Sequence, residues 1–227
     1  MFLTSFPAGA WQANCYVLAA DDAAACVVVD PGMDAVQALH AVLAQKGLDP
    51  AGVLLTHGHL DHVASAAQVA DEFGVPAWLH PADRELLVDP LAGFGPQMAA
   101  FAAQFGLPDT LVPTQLNEIA GGDEIEVAGL GFRVLHAPGH RPGCVMFDVR
   151  AAGASEPVVL TGDVVFAGSI GRTDLPGGDH RVMVDTLDSV VLGLRDATTL
   201  LPGHGPASTM QRERRTNPYL QPSYLKA

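Results

Sequence analysis

One local pattern constrains this fold more than any other. A short apolar, β-branched run ends in a turn that carries histidine or aspartate beside glycine, and this happens four times. Val53-Leu54-Leu55-Thr56 runs into His57-Gly58-His59-Leu60-Asp61-His62, Phe132–His136 into Pro138-Gly139-His140, Val158–Thr161 into Gly162-Asp163, and Thr198–Leu201 into Pro202-Gly203-His204. Such runs read as short buried strands. The neighbouring glycine permits a tight turn, so each polar side chain can be aimed at the strand end. Seven candidate ligands (His57, His59, Asp61, His62, His140, Asp163 and His204) are therefore expected to converge at one end of the sheets.

The densest piece is the His-x-His-x-Asp-His pattern of 57–62. His57 and His59 are two apart in extended chain and point to the same side. Asp61 and His62 then open a helix, where a second pair of donors can face a neighbouring point. Neutral imidazole and carboxylate suit zinc, iron or manganese, and a site free of thiolates keeps positions open for water.

Further strands are expected at Asn14–Leu18, Cys26–Asp30, Ala77–His80 and Cys144–Val149, and helices at Asp34–Gln45, Asp61–Phe73 and Asp179–Leu194. Gly47 and Gly74 are natural stops for the first two. Strands interleaved with helices indicate an α/β fold with mixed sheets. No linker divides residues 1–227, which read as a single domain. Asp83–Pro113, with Phe94, Phe101 and Phe105 among Gly and Pro breaks, is either a helix packed on the core or a flap over the substrate cleft. The tail Tyr219–Leu225 can seal the domain's own core or a dimer interface.

Twelve Lys+Arg against 25 Asp+Glu give a formal charge of -13. That excess disfavours nucleic acid and anionic membranes as partners, since both repel an acidic surface. Hydrophobic residues at 48% exclude a disordered chain. Cys15, Cys26 and Cys144 lack Cys-x-x-Cys spacing and read as small buried hydrophobes in a reducing compartment. With no signal peptide or membrane-length apolar stretch in the sequence, a soluble, cytoplasmic protein is expected.

In order and in strand context, the seven residues resemble the full ligand set of the metallo-β-lactamase fold superfamily. That resemblance implies a four-layer αββα sandwich, two mixed β-sheets flanked by helices, with two divalent metal ions at one edge. Zinc is the first choice, with iron or manganese as alternatives. By the same resemblance His57, His59 and His140 would hold one metal, Asp61, His62 and His204 the second, and Asp163 would bridge them. His59, where the flavodiiron branch has Glu, argues against that branch. The stretch Phe166–Asp179 and the tail from Pro202-Gly-His-Gly-Pro206 to Tyr219 look most like the short glyoxalase II-like (hydroxyacylglutathione hydrolase-like) enzymes.

The resemblance thus implies a thioester hydrolase acting on a small-molecule thioester, a glutathione-linked one among the candidates. A metal-bridging hydroxide, oriented by Asp61, would attack the thioester carbonyl. A thiolate leaves without a strong general acid, its thiol pKa being about 8.5. The alternative is a persulfide dioxygenase of the same fold, with one iron on His57, His140 and Asp163. The chain departs from the family's Pro-Gly-His-Thr-x-Gly-Ser pattern, because Arg141 and Cys144 occupy the Thr and Ser places. Too few residues follow His204 for the helical domain with which larger glyoxalase II enzymes help hold glutathione. Arg172 is the candidate substrate-binding residue, able to pair with a carboxylate that Asp174 would repel. His40, His80, His136 and His180 read as structural, with His136 able to brace the site. Asn14-Cys15-Tyr16 and Asp30-Pro31-Gly32 read as scaffold for the ligand edge.

Overall fold

A computed structural model describes residues 1–21, 23–96, 100, 104, 111–151 and 156–226. The amino-terminal strands β1 (Phe2–Ala8), β2 (Ala13–Ala19) and β3 (Ala25–Val29) form an antiparallel meander, and β4 (Asp49–Leu54), β5 (Ala77–Leu79) and β6 (Leu116–Glu118) extend it in parallel. The second sheet holds β7 (Glu124–Val127), β8 (Leu130–His136), β9 (Val145–Arg150), β10 (Val158–Gly162), β13 (Thr199–Pro202) and β14 (Ser208–Thr209), in the order β14-β13-β10-β9-β8-β7. Its one parallel pair is β10 with β13. Between them β11 (Val165–Phe166) and β12 (Ser169–Ile170) make a small hairpin.

The two-residue period of the strands sorts side chains into layers. In β2 and β3, Tyr16, Leu18, Val27 and Val29 face the second sheet and pack with Phe132, Val134, Phe147, Val149 and Leu201. Cys15, Val17, Cys26 and Val28 point the other way, against Leu39 and Leu43 of α1 (Ala35–Lys46) and Val69 and Ala70 of α3 (Ala66–Phe73). On the far face of the second sheet, Met146, Val159 and Leu200 pack against Met183 of α5 (His180–Thr186), Leu187, Val191 and Met210. Helix, sheet, sheet and helix give the four-layer αββα sandwich, with both sheets buried on both faces.

Three expectations are refined. The helix foreseen over Asp61–Phe73 is two pieces, α2 (Leu60–Val63) and α3, because Ser65 bonds outward. Its hydroxyl donates to the Gly32 carbonyl at 2.6 Å and its N–H to that of Pro31, which pulls the chain off the helical path. The helix starting at Asp179 keeps α geometry only to Thr186, then widens into a π turn over Leu187–Val191. Of Asp83–Pro113, α4 (Arg84–Val88) buries Leu86 and Leu87, and Phe94 reaches the cleft described below; Phe101 and Phe105 lie outside the described residues. The tail seals the domain's own core, with Leu220 buried and Tyr219, Tyr224 and Leu225 packed around the third cluster. Cys15, Cys26 and Cys144 are buried free thiols, and no helix among the described residues is long and apolar enough to cross a membrane.

Phe132 and Phe147 meet edge to face at 6.4 Å in the middle of the inter-sheet layer. Phe147→Ala leaves a cavity that two stiff sheets cannot close, and should cost about 3–5 kcal/mol by denaturant unfolding of the metal-free protein.

Candidate metal centre

The sheet ends deliver the polar residues to one edge. The parallel strands β10 and β13 finish side by side, with Gly162 opposite Pro202, so Asp163 and His204 leave in the same direction. Pairing slips between Leu160 and Gly162, a bulge that turns the chain toward the edge. Gly162 lies in the left-handed region at φ 48°, and a Cβ there would stand 2.6 Å from Thr56 Oγ1. Gly203 is needed for space: a Cβ would stand 2.1 Å from Asp163 Oδ1. From the first sheet, β4 runs out through Thr56 into His57–His62.

All seven sequence-predicted residues meet here. His57, His59 and His140 form one group whose donor atoms lie within 4.8 Å of one another, and Asp61, His62 and His204 form another. His57, His62 and Asp163 make a third, overlapping set. His59 Nδ1 faces His140 Nε2 at 2.8 Å, and His62 Nε2 faces His204 Nε2 at 3.3 Å. Asp163 reaches both sides: Oδ1 is 3.4 Å from His62 Nε2, and Oδ2 is 3.6 Å from both His140 Nε2 and His204 Nε2. Asp61 Oδ2 is 3.2 Å from His204 Nε2.

Hydrogen bonds behind the ligand candidates decide which nitrogen each ring presents. Asp30 is buried at the end of β3 and strained at φ 50°. It accepts from the Thr56 N–H (2.8 Å), from Thr56 Oγ1 (2.6 Å) and from His62 Nδ1 (3.0 Å). The single hydroxyl proton of Thr56 is thus committed, so Thr56 Oγ1 can only accept from His57 Nδ1 at 3.1 Å. His140 Nδ1 donates to the Arg172 carbonyl at 2.7 Å. His57, His62 and His140 therefore all aim Nε2 into the site. Asp30-Pro31-Gly32 is more than a turn: it fixes two of the candidate ligands. Asn14 and Tyr16 do the same for the His204 turn, both donating to the Pro202 carbonyl, at 2.9 and 2.7 Å.

The electrostatics favour a cation. Burial, reinforced by the surrounding imidazoles, pushes His57 well down in pKa, and burial with His140 does the same to His59, so both stay neutral donors. Burial opposes charge on His62 too, but Asp163, Asp61 and Asp30 outweigh it and raise its pKa to about 10. Burial alone would raise Asp61; His62 and the hydrogen bond from His204 outweigh it and hold the carboxyl far below the ordinary range. Buried carboxylates thus draw positive charge to this spot. The buried atoms His57 Nε2, His59 Nε2 and Asp163 Oδ1 have no hydrogen-bond partner. Orphaned donors around a cation-seeking pocket fit divalent metal ions.

Arg141 lies fully inside, away from His140's ring. It bonds Asp83 Oδ1 (3.3 Å), Glu85 Oε1 (3.0 Å) and the Pro176 carbonyl. Asp83, wholly buried, also accepts from the N–H groups of Gly58 (2.9 Å) and Gly143 (3.0 Å). This pair joins the His57–His59 turn, the His140 turn and the 172–178 loop, so a buried ion pair stands where the family pattern has a hydroxyl. Cys144 is buried with its thiol pKa pushed up, chiefly by burial. His136 donates to the Pro142 carbonyl at 2.9 Å and stacks on His80 at 4.4 Å, bracing the His140 turn from outside. His40 pairs with Glu72 at 3.0 Å and His180 packs edge-on to Tyr224, both away from the centre.

The centre opens on a cleft of about 380 Å³ lined by His59, Asp61, His140, Asp163 and His204 and walled by Trp11, Phe94, Phe166, Ile170, Arg172 and Leu175. The segment with Phe94 does reach the cleft, as the flap alternative expected, and Phe166, Ile170 and Leu175 fall in the stretch that resembles the glyoxalase II-like branch; Trp11 and the apolar character of the walls were not foreseen. The Arg172 guanidinium is at the cleft mouth but is bonded twice to Asp174, at 2.7 Å each. The hairpin bearing Phe166 and Ile170 is held by α6 (Met210–Thr216) and the residue after it. Glu213 accepts from the Gly168 N–H at 2.7 Å and also from Ser208, and Asn217 donates to the Ser169 carbonyl at 3.0 Å. The loop and tail that resemble the glyoxalase II-like branch are thus one packed unit.

A four-layer sandwich with a histidine-rich edge of this kind defines a superfamily of metal-binding enzymes. The family model of the metallo-beta-lactamase superfamily matches residues 8–204, and the chain belongs to that superfamily. It is 44% identical over 97% of its length to an uncharacterised protein of Mycobacterium tuberculosis, covering 98% of that relative. It is 35% identical, again over 97% of its length and 98% of the relative, to the hydroxyacylglutathione hydrolase GloC of Haemophilus influenzae. Among solved structures, the BLEG-1 B3 metallo-beta-lactamase superposes with a TM-score of 0.81 at 34% identity, over 97% of this chain and 100% of that one. TTHA1623 in a di-iron-bound form superposes with a TM-score of 0.77 at 34% identity and the same coverage.

The Asp83–Arg141 pair is tested by removal of one partner. Asp83→Ala strands a buried guanidinium and two N–H groups, and should cost about 3–5 kcal/mol in denaturant unfolding of the metal-free protein. Glu85→Ala removes a carboxylate that is itself exposed to water and leaves Arg141 bonded to Asp83, so it should cost under about 1 kcal/mol.

Proposed function

We propose that the chain is a metal-dependent thioester hydrolase of the hydroxyacylglutathione hydrolase type. In this reading residues 1–227 act as one domain, His57, His59 and His140 hold one metal, and Asp61, His62 and His204 hold the second. Asp163 is shared between the two. The observation that carries it is the reach of Asp163, whose two carboxylate oxygens lie 3.4 to 3.6 Å from histidines of both groups. The similarity to GloC along nearly the whole chain supports the thioester as substrate. An all-nitrogen-and-oxygen donor set suits zinc first, with iron or manganese accepted by the same ligands. Buried free thiols fit a reducing compartment, and we place the enzyme in the cytoplasm.

Bound divalent ions supply a Lewis acid and bring the pKa of a water towards about 7. The chain's own residues do the positioning. Asp61, fixed by His204 at the cleft side, orients the attacking water toward the carbonyl. Asp30, Thr56 and the Arg172 carbonyl lock three imidazoles so that no ring must turn during the reaction. The thiolate departs unprotonated, which matches a cleft wall without a spare general acid among the described residues.

The test is elemental analysis of the purified protein beside thioester hydrolysis and oxygen uptake with glutathione persulfide. Two metals per chain are expected, with thioester turnover and no oxygen uptake. His57→Ala, His62→Ala and His204→Ala should each bring hydrolysis close to background, and His204→Ala should lower the metal content toward one per chain. One iron per chain with oxygen uptake, and hydrolysis untouched by His62→Ala and His204→Ala, would select the dioxygenase. Turnover of a cephalosporin without turnover of thioesters would likewise overturn the reading.

A further inference from the structure

The cleft has an unusual charge balance for a site meant to hold an acidic thiol carrier. Arg172 is the one Lys or Arg among the described lining residues, and Asp174 occupies its Nε and Nη2. Arg141, which follows His140 directly, is buried against Asp83 and bonded to Glu85. Between Arg84 and Arg133 the sequence contains no Lys or Arg, so the whole stretch that includes Phe94 brings no positive charge to the opening. Asp174 accepts both bonds from Arg172, and its pKa is brought down to about 2 chiefly by them, so a negative charge sits beside the guanidinium at the mouth.

The walls are apolar instead. Phe94 lies nearly parallel to His59 at 6.4 Å and stacks on Trp11 at 5.7 Å, which makes an aromatic wall on one side of the ligand cluster. Phe166 stands edge-on to His204 at 6.1 Å on the other side, with Ile170 and Leu175 beside it. All five are only half-buried, so their remaining apolar surface is covered when a ligand enters. Apolar side chains flanking both ligand groups hold an aliphatic or aromatic limb; they offer nothing to a carboxylate.

We propose that this site takes uncharged thioesters with a bulky apolar limb, held between Trp11–Phe94 and Phe166–Ile170, and that Asp174 sets this preference by tying up Arg172. The proposal rests on the thioester reading for its substrate but makes its own claim about recognition. Truncating Phe94 or Phe166 removes the apolar hold. Freeing Arg172 turns the mouth into a carboxylate site, since a guanidinium forks onto a carboxylate readily.

The experiment measures binding of inert thioethers to the metal-loaded protein by calorimetry. The probes are S-hexyl and S-methyl N-acetylcysteamine, which are uncharged, and S-hexylglutathione, which carries the acidic carrier. S-hexyl N-acetylcysteamine should bind about tenfold or more tightly than its S-methyl counterpart, and more tightly than S-hexylglutathione. Phe94→Ala and Phe166→Ala should each remove most of the hexyl advantage. Asp174→Asn should shift the ratio several-fold toward S-hexylglutathione, and Arg172→Ala added to it should cancel the shift. Equal binding of hexyl and methyl probes, or tighter binding of the glutathione compound by the unaltered protein, overturns the proposal. Kinetics with the hexanoyl thioesters of the same two thiols separates the readings: no turnover of either, with the binding order intact, refutes hydrolysis and leaves the recognition claim standing.

Discussion

Two backbone hydrogen bonds that cross between the sheets hold the functional edge together. The Val145 N–H, where β9 begins, donates to the Thr56 carbonyl just beyond β4 at 2.8 Å, and the Asn14 N–H of β2 donates to the Gly203 carbonyl just beyond β13 at 2.7 Å. Facing sheets normally meet through side chains about 10 Å apart. Here their edges pinch to hydrogen-bonding distance, so residues on different sheets share one point. Every ligand candidate lies within a few residues of these two bonds or of the strand end beside them. The pinch has a steric condition, small residues at Gly162 and Gly203, and an energetic one, buried carbonyls that must be paired.

The pinch also concentrates charge. Asp30, Asp61, Asp83 and Asp163 all sit in or against the centre, and burying them costs free energy unless each is answered. Two solutions coexist. Asp83 is answered by Arg141 and two backbone N–H groups, a closed arrangement that makes no demand on a ligand. Asp163 and Asp61 are answered mainly by histidines whose other partners are carboxylates, an open arrangement that remains short of positive charge. The first kind stiffens the turns, and the second calls for a cation. Arg141 could serve as the stiffener only because its guanidinium points away from the ligand cluster toward Asp83, Glu85 and Pro176.

How much was legible in the sequence follows from the same division. The strands that carry the ligands were visible because they are buried on both faces and read as unbroken apolar runs, and the ligand edge was visible because each run stops at Gly with His or Asp. Edge strands β1, β6 and β7 were not, since their mixed composition (Phe2–Ala8 includes Thr4, Ser5 and Pro7) carries little periodic signal. The break at Ser65 was hidden because it depends on carbonyls 33 and 34 positions away. Arg141's partner lies 58 positions upstream and could not be paired by spacing. The apolar cleft walls come from three distant stretches, at Trp11, at Phe94 and along 166–175, and nothing in their spacing shows that they face one another.

That last point separates chemistry from recognition. Ligand candidates sit on strand ends and are locked by buried hydrogen bonds, so their geometry tolerates little change. The residues facing the substrate sit on surface turns and a two-stranded hairpin tied down from behind by Glu213 and Asn217. A change at Phe94 or Phe166 alters what the cleft holds without disturbing Asp30, Thr56 or the Arg172 carbonyl, which set the imidazoles. Arg172 is where the two systems touch. Its carbonyl orients His140 while its guanidinium faces the mouth, so the side chain is free to vary only as long as the backbone stays in place. The Asp174 carboxylate, bonded to that guanidinium two residues along, contributes to both ends of this junction: it fixes the local turn and removes a cation from the opening.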